Sequence, residues 1–331
     1  LSVAVLSLMF TISAYADPVK VGFVYVGPTG DHGWTYMHDI GRQAIVKELG
    51  DQVETTYVEN VKYGPDAERV MRQMALQGVD IIFATSFGYM ESMLNVAKEF
   101  PDVKFEHATG YKTAENMSVY SSKFYEGRYV QGVIAGHMSK TGKAGYIASF
   151  PIPEVIRGIN AFYLGASSVN PDFDIDVVWV NTWYDPGKEA DAAKVLIAQG
   201  ADIITQHTDS PAALQVADAA GVKAFGQASD MIMFAPNTQL TAILDLWGPY
   251  YVERVKAVID GTWEMQDTWG GMDTGMVAMA PYTNMPDDIK KIAMALEKDI
   301  LEGKFEIFPG ASVGDLLGMS EYVEGIDAIK P

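Results

Sequence analysis

The chain of 331 residues contains no cysteine. That excludes a disulfide framework, a thiolate metal site, a cysteine nucleophile and a lipid-bearing cysteine. Histidine is scarce, with five residues. His32 and His38 lack the one-face spacing of a helical metal pair, and no HExxH motif occurs. Ser86 and Ser210 stand in TSFG and TDSP, not in a GxSxG elbow. No metal, no cofactor and no nucleophile–base pair is therefore expected. Positive charge is also short: 24 Lys and Arg face 43 Asp and Glu, a net charge of −19. Such a surface repels phosphate backbones and anionic lipid, so nucleic acid is not an expected partner.

Long apolar runs are missing after the first residues. Segment 1–16, LSVAVLSLMFTISAYA, is apolar, uncharged and ends in Ala-Tyr-Ala before Asp17. It reads as a secretory signal cleaved after Ala16; the bland alternative is a buried first strand. Nothing later reaches the roughly 18 apolar residues of a spanning helix. The expected product is exported, free in a periplasm, not lipidated and monomeric.

What the chain does have is alternation. Strand patterns over 19–26, 53–58, 79–84 and 103–107 alternate with helical patterns over 35–49, 65–77 and 88–99. This order predicts an α/β fold with a mostly parallel sheet and helices on both faces. Gly78, behind the second helix, suits a left-handed cap. The pattern then recurs: QGVDII at 77–82 returns as QGADII at 199–204, each behind a helical segment and ahead of a strand. Asp185 and Pro186 fit the cap and first turn of the second of those helices. The echo predicts two doubly wound, Rossmann-like lobes. The chain is expected to cross between them three times, near Ser122, Leu244 and Pro281. That gives a first lobe of 17–122 plus 246–281 and a second of 123–245 plus 282–331.

In doubly wound sheets ligands sit beyond the carboxyl ends of the strands. The loop 27–34, GPTGDHGW, is such an end; it has neither dinucleotide spacing nor a Walker lysine. It presents Trp34 at a helix start, either packed under the loop or stacked on a flat ligand. Trp183, in NTWYD between a strand and a helix, holds the matching place in the second lobe. Two indoles facing a cleft can sandwich a planar ring. Asp230 ends the loop after a strand, in KAFGQASD; Asp245 and Trp247 lie at the second crossing, and Lys123 and Glu126 at the first. A cleft carboxylate can accept from ring N–H or amine donors, whereas the bland reading of each is a cap or a solvated surface.

The stretches VKVGFVYVGPTGDHGWTYMHDIGRQ, QGVDIIFATSFGYM, FPDVKFEHATGY, SSKFYEGRYVQGVIAGHMSKTGKAGYIASFP, NTWYDPGKEADAAKVLIAQGADII and LEGKFEIFPG, in that order, resemble the basic membrane protein family. This is the purine-nucleoside-receptor-like branch of periplasmic binding proteins. The resemblance implies a type I binding-protein fold and capture of a purine between lobes for an inner-membrane ABC permease. It gives Trp34 and Trp183 the stacking roles. Gly33, Thr35, Ser86, Phe87 and Glu126 join them as ligand-side candidates. Thr35 stands where the family usually places an Asn that contacts the base. Asp230 matches the acid that meets the sugar hydroxyls, and Asp245 replaces a Lys near the ribose. With Trp247 added, these departures favour a free base such as adenine over a nucleoside. The competing expectations are a sugar-binding protein of the same fold and, more remotely, a purine or nucleoside hydrolase.

Overall fold

The computed structural model describes residues 17–326; the expected signal segment lies outside the described residues. The first half runs β1 (Val19–Val24), α1 (Trp34–Leu49), β2 (Val53–Val58), α2 (Pro65–Leu76), β3 (Ile81–Ala84), α3 (Met90–Glu99), β4 (Lys104–Ala108) and β5 (Met117–Ser122). The second runs α4 (Phe124–Met138), β6 (Lys143–Ala148), α5 (Pro153–Val169), β7 (Asp174–Trp179), α6 (Pro186–Ala198), β8 (Ile203–His207), α7 (Ala212–Ala220), β9 (Lys223–Gly226) and β10 (Gln239–Asp245). Then come α8 (Gly248–Ile259), β11 (Asp267–Gly270), β12 (Val277–Met279), α9 (Asp287–Leu301) and α10 (Val313–Leu317).

Two six-stranded sheets result, ordered β11-β5-β4-β3-β1-β2 and β12-β10-β9-β8-β6-β7. Every pairing in the first is parallel. The second has one antiparallel edge, β12 against β10. This is the two-lobed α/β architecture that the repeated hexapeptide announces. Both echoes sit at the same structural point, the helix end before β3 and before β8. Gly78 and Gly200 there have φ of 80° and 97°, the left-handed turn that glycine makes at least cost. Asp185 caps α6 by accepting the Lys188 N–H at 3.1 Å, with Pro186 in the first turn.

The chain leaves the first sheet between β5 and α4, because α4 packs on α5. It returns between β10 and α8, which packs on α1. The last passage runs through Gly271–Met276, upstream of the Pro281 expected from sequence. The strands on either side, DTWG and VAM, are too short to show a period, and β12 joins the second sheet. Residues 277–281 therefore go with the second lobe.

Two packing features position the site. In the first lobe Glu106 is fully buried. It accepts from Arg254 Nε at 2.6 Å, Tyr250 Oη at 2.7 Å and Trp263 Nε1 at 2.7 Å. A carboxylate so matched ties α8 to β4. In the second lobe α4 and α5 meet backbone to backbone. A Cβ on Gly132 would lie 2.1 Å from the Phe162 carbonyl oxygen, and one on Gly165 would lie 2.3 Å from that of Tyr129. Only glycine permits that approach.

Candidate functional site

The loops at the carboxyl ends of both sheets face each other. His32, Asn60, Thr109, Asn181 and Ala228, in the loops after β1, β2, β4, β7 and β9, all have φ between 52° and 63°. Left-handed backbone at non-glycine residues is costly and gathers where geometry serves function. Between these loops lies a cavity lined by both lobes.

The first lobe lines it with Val26, Trp34, Ser86, Phe87 and Thr109; the second with Ile152, Glu154, Trp183, His207, Asp209 and Gln227. Trp34 and Trp183, the two indoles singled out from sequence, thus border one cavity from opposite lobes. Trp34 also packs under its loop, as one of the two expectations had it. Its Nε1 donates to the Thr85 carbonyl at 2.6 Å. Its ring meets His38, Trp247 and Phe124 edge-on at 4.5, 5.5 and 5.9 Å. His38 stacks on Trp247 and bonds Tyr251 Oη through Nδ1 at 2.5 Å, and burial pushes its pKa down. The indole is held by a wall of rings. Trp183 rests on Phe150 at 5.3 Å.

Ser86 and Phe87 also line the cavity. Ser86 is oriented by Tyr63 Oη on its hydroxyl at 2.7 Å and by His107 Nε2 on its carbonyl at 2.8 Å. The other sequence candidates stand elsewhere. Asp230 is exposed and accepts from Ile232 N and Gln239 Nε2, so it shapes its own loop. Trp247 is 1% exposed and lies behind Trp34. Thr35 is buried and takes the Gly27 N–H. Glu126 accepts the Met272 N–H at 2.7 Å at the third passage, and Lys123 lines the groove beside it. Asp245 is fully buried behind the cavity, and neither carboxyl oxygen has a hydrogen-bond partner. Burial and the charge of Glu154 push its pKa up, while Arg128 opposes them.

Gly33 has a different role from the one expected: it is where the lobes touch. A Cβ there would lie 2.4 Å from the Asp209 carbonyl oxygen. Ser229 Oγ donates to the His32 carbonyl across the same seam. The structure is therefore the closed form. Asp31 organises the first-lobe side, its carboxyl accepting from Gly33 N at 2.8 Å, Tyr36 N at 2.9 Å and Thr35 N at 3.0 Å. Burial nonetheless pushes its pKa up to about 6.

Sequence reasoning missed Glu154, His207, Asp209 and Gln227. All four follow or border strand ends in the second lobe, the location the carboxyl-end rule marks. His207 Nε2 and Glu154 Oε1 lie 3.4 Å apart. Desolvation pushes the His207 pKa down, and the neighbouring Glu154 opposes it. Among the described residues no acidic or histidine cluster could hold a metal ion, and no helix is long and apolar enough to cross a membrane.

The family model for PnrA-like ABC transporter substrate-binding proteins matches residues 18–307. A purine-binding protein of Brucella abortus is 61% identical, covering 95% of this chain and 95% of its own. A putative ABC transporter glucose-binding protein of Haloferax volcanii is 40% identical, covering 95% of this chain and 82% of its own. A solved ABC transporter solute-binding protein of Aeropyrum pernix K1 superposes with a TM-score of 0.77 at 18% identity, covering 90% of this chain and 95% of that one. At that identity the likeness concerns the fold.

Proposed function

The chain belongs to the PnrA-like ABC transporter substrate-binding proteins, and from that premise we propose that its cavity captures a purine, adenine in preference to a nucleoside. It is a binding protein and not an enzyme, of an exported family. In this reading the signal is removed after Ala16, and the monomer works in the periplasm and hands its ligand to an inner-membrane permease.

One observation carries the purine assignment: an indole from each lobe borders the same small cavity. Aromatic platforms contribute about 1–3 kcal/mol per stacked base. The Brucella abortus relative, named for purine binding, supports the same ligand class. The preference for a free base rests on the acids. Asp230, which the resemblance would set against a ribose, is at the surface, and Asp245 is sealed behind the cavity. No carboxylate is left at either position to receive sugar hydroxyls. Capture is a population shift: the ligand touches both lobes only when they close, so it stabilises the closed form.

A sugar ligand is the second reading. The Haloferax volcanii relative carries a glucose-binding name, and Glu154, His207, Asp209 and Gln227 offer polar partners. Titration calorimetry with adenine, adenosine and glucose separates the two. Adenine should bind most tightly; tighter adenosine would reject the base preference, and tighter glucose the purine reading.

A further inference from the structure

Asp209 is joined to both tryptophan loops. Its N–H donates to the Trp183 carbonyl at 2.9 Å. Its own carbonyl abuts Gly33, beside Trp34, across the seam between lobes. The residue lines the cavity and is 3% exposed. Part of the wall around it belongs to the other lobe, so closure adds to this burial.

The surroundings are acidic. Asp31 faces Asp209 from the start of α1, Glu189 from α6, and Asp245 from the end of β10. Tyr63 and Tyr184 are the nearby phenols. His207, its pKa lowered by desolvation, and Glu154 share the cavity wall. Arg128 answers Asp245, Glu154 and Tyr146. Burial and the neighbouring carboxylates raise the Asp209 pKa, and the Trp34 amide opposes them. Closing this seam over an ionised carboxylate would bury a charge among three like charges, which is costly.

We propose that Asp209 is the specificity-determining latch of the cavity: as the lobes close it takes one proton from solvent and offers its O–H to an acceptor nitrogen of the bound heterocycle. On opening, the O–H bond breaks and the proton returns to water. The inference rests on the purine reading for its probe.

The test is titration calorimetry of the whole protein with adenine in two buffers of different ionisation enthalpy, which counts protons taken up. About one proton per adenine is expected near pH 7, and affinity should fall up to tenfold per pH unit between pH 6 and 8. Asp209→Asn keeps a donor and cannot titrate, so its affinity should be flat over that range and its proton count near zero. A proton count of zero in the unaltered protein, or an unchanged count in the variant, overturns the proposal. If the variant fails to fold, the count in the unaltered protein decides alone. If adenine gives no heat, the purine reading fails, and the same count is made with glucose. Silence toward both probes overturns both readings.

Discussion

The two lobes share one architecture and treat buried charge in opposite ways. In the first lobe Glu106 is matched by Arg254, Tyr250 and Trp263, and Asp39 by Arg42. In the second lobe Asp245 has two oxygens without partners and Arg128 has an Nε without one. The cavity divides the same way. The first lobe supplies rings, a hydroxyl or two and backbone; the titratable groups Glu154, His207 and Asp209 all come from the second. One half is a finished platform and the other is a reader of polarity that leaves capacity unspent.

The strongest way to break this contrast is Arg254→Ala. Stripping one partner from a buried ion pair costs about 3–5 kcal/mol, so first-lobe stability in denaturant unfolding should drop by that much. A loss near zero would mean that the platform does not depend on its matched charge. Gly33→Val comes next. Its side chain would strike the Asp209 carbonyl, so closure should become rare and ligand affinity fall about a hundredfold, as a site loses affinity in proportion to its closed fraction. Apo melting should barely change, which calorimetry and thermal melting read together. Trp183→Ala should cost about 1–3 kcal/mol of purine affinity and spare apo stability, since that ring is only partly buried.

The smallest expected effect has a gain in it. The Asp245 pKa is pushed up by burial and Glu154, so the folded state prefers the neutral acid. The unfolded chain ionises near its ordinary value of about 3.9. Stability from this group therefore falls as pH rises through and beyond that range. Asp245→Asn should raise apo stability at pH 7 by about 1 kcal/mol, and the difference should vanish toward pH 4. A melting curve in which the variant is weaker at neutral pH would show that Asp245 has a partner after all.

Local signals made the fold readable. Glycines behind α2 and α6, the cap at Asp185 and the alternating apolar runs act within a few residues, and the hexapeptide echo at 77–82 and 199–204 gave the second lobe. The passage through Gly271–Met276 escaped because strands of three and four residues carry no period. In the site, Trp34 and Trp183 were visible since a large ring in a polar loop is conspicuous. Asp209 and His207 were not: a single acid or imidazole after a strand is ordinary, and only closure of distant segments gives them a shared wall. Asp230 misled for the converse reason, because its loop uses its carboxyl internally.

The glycine seam between α4 and α5 bears on how movement reaches the ligand. Helix α4 begins one residue past the first passage between lobes, and α5 begins at the cavity, with Glu154 in its opening turn. Helices fused along their main chains have no side-chain layer to slip on. A rotation at Ser122–Lys123 is then delivered to Glu154 undiminished, as through a rigid crank, and the far end of the hinge becomes the hand that moves one wall of the cavity.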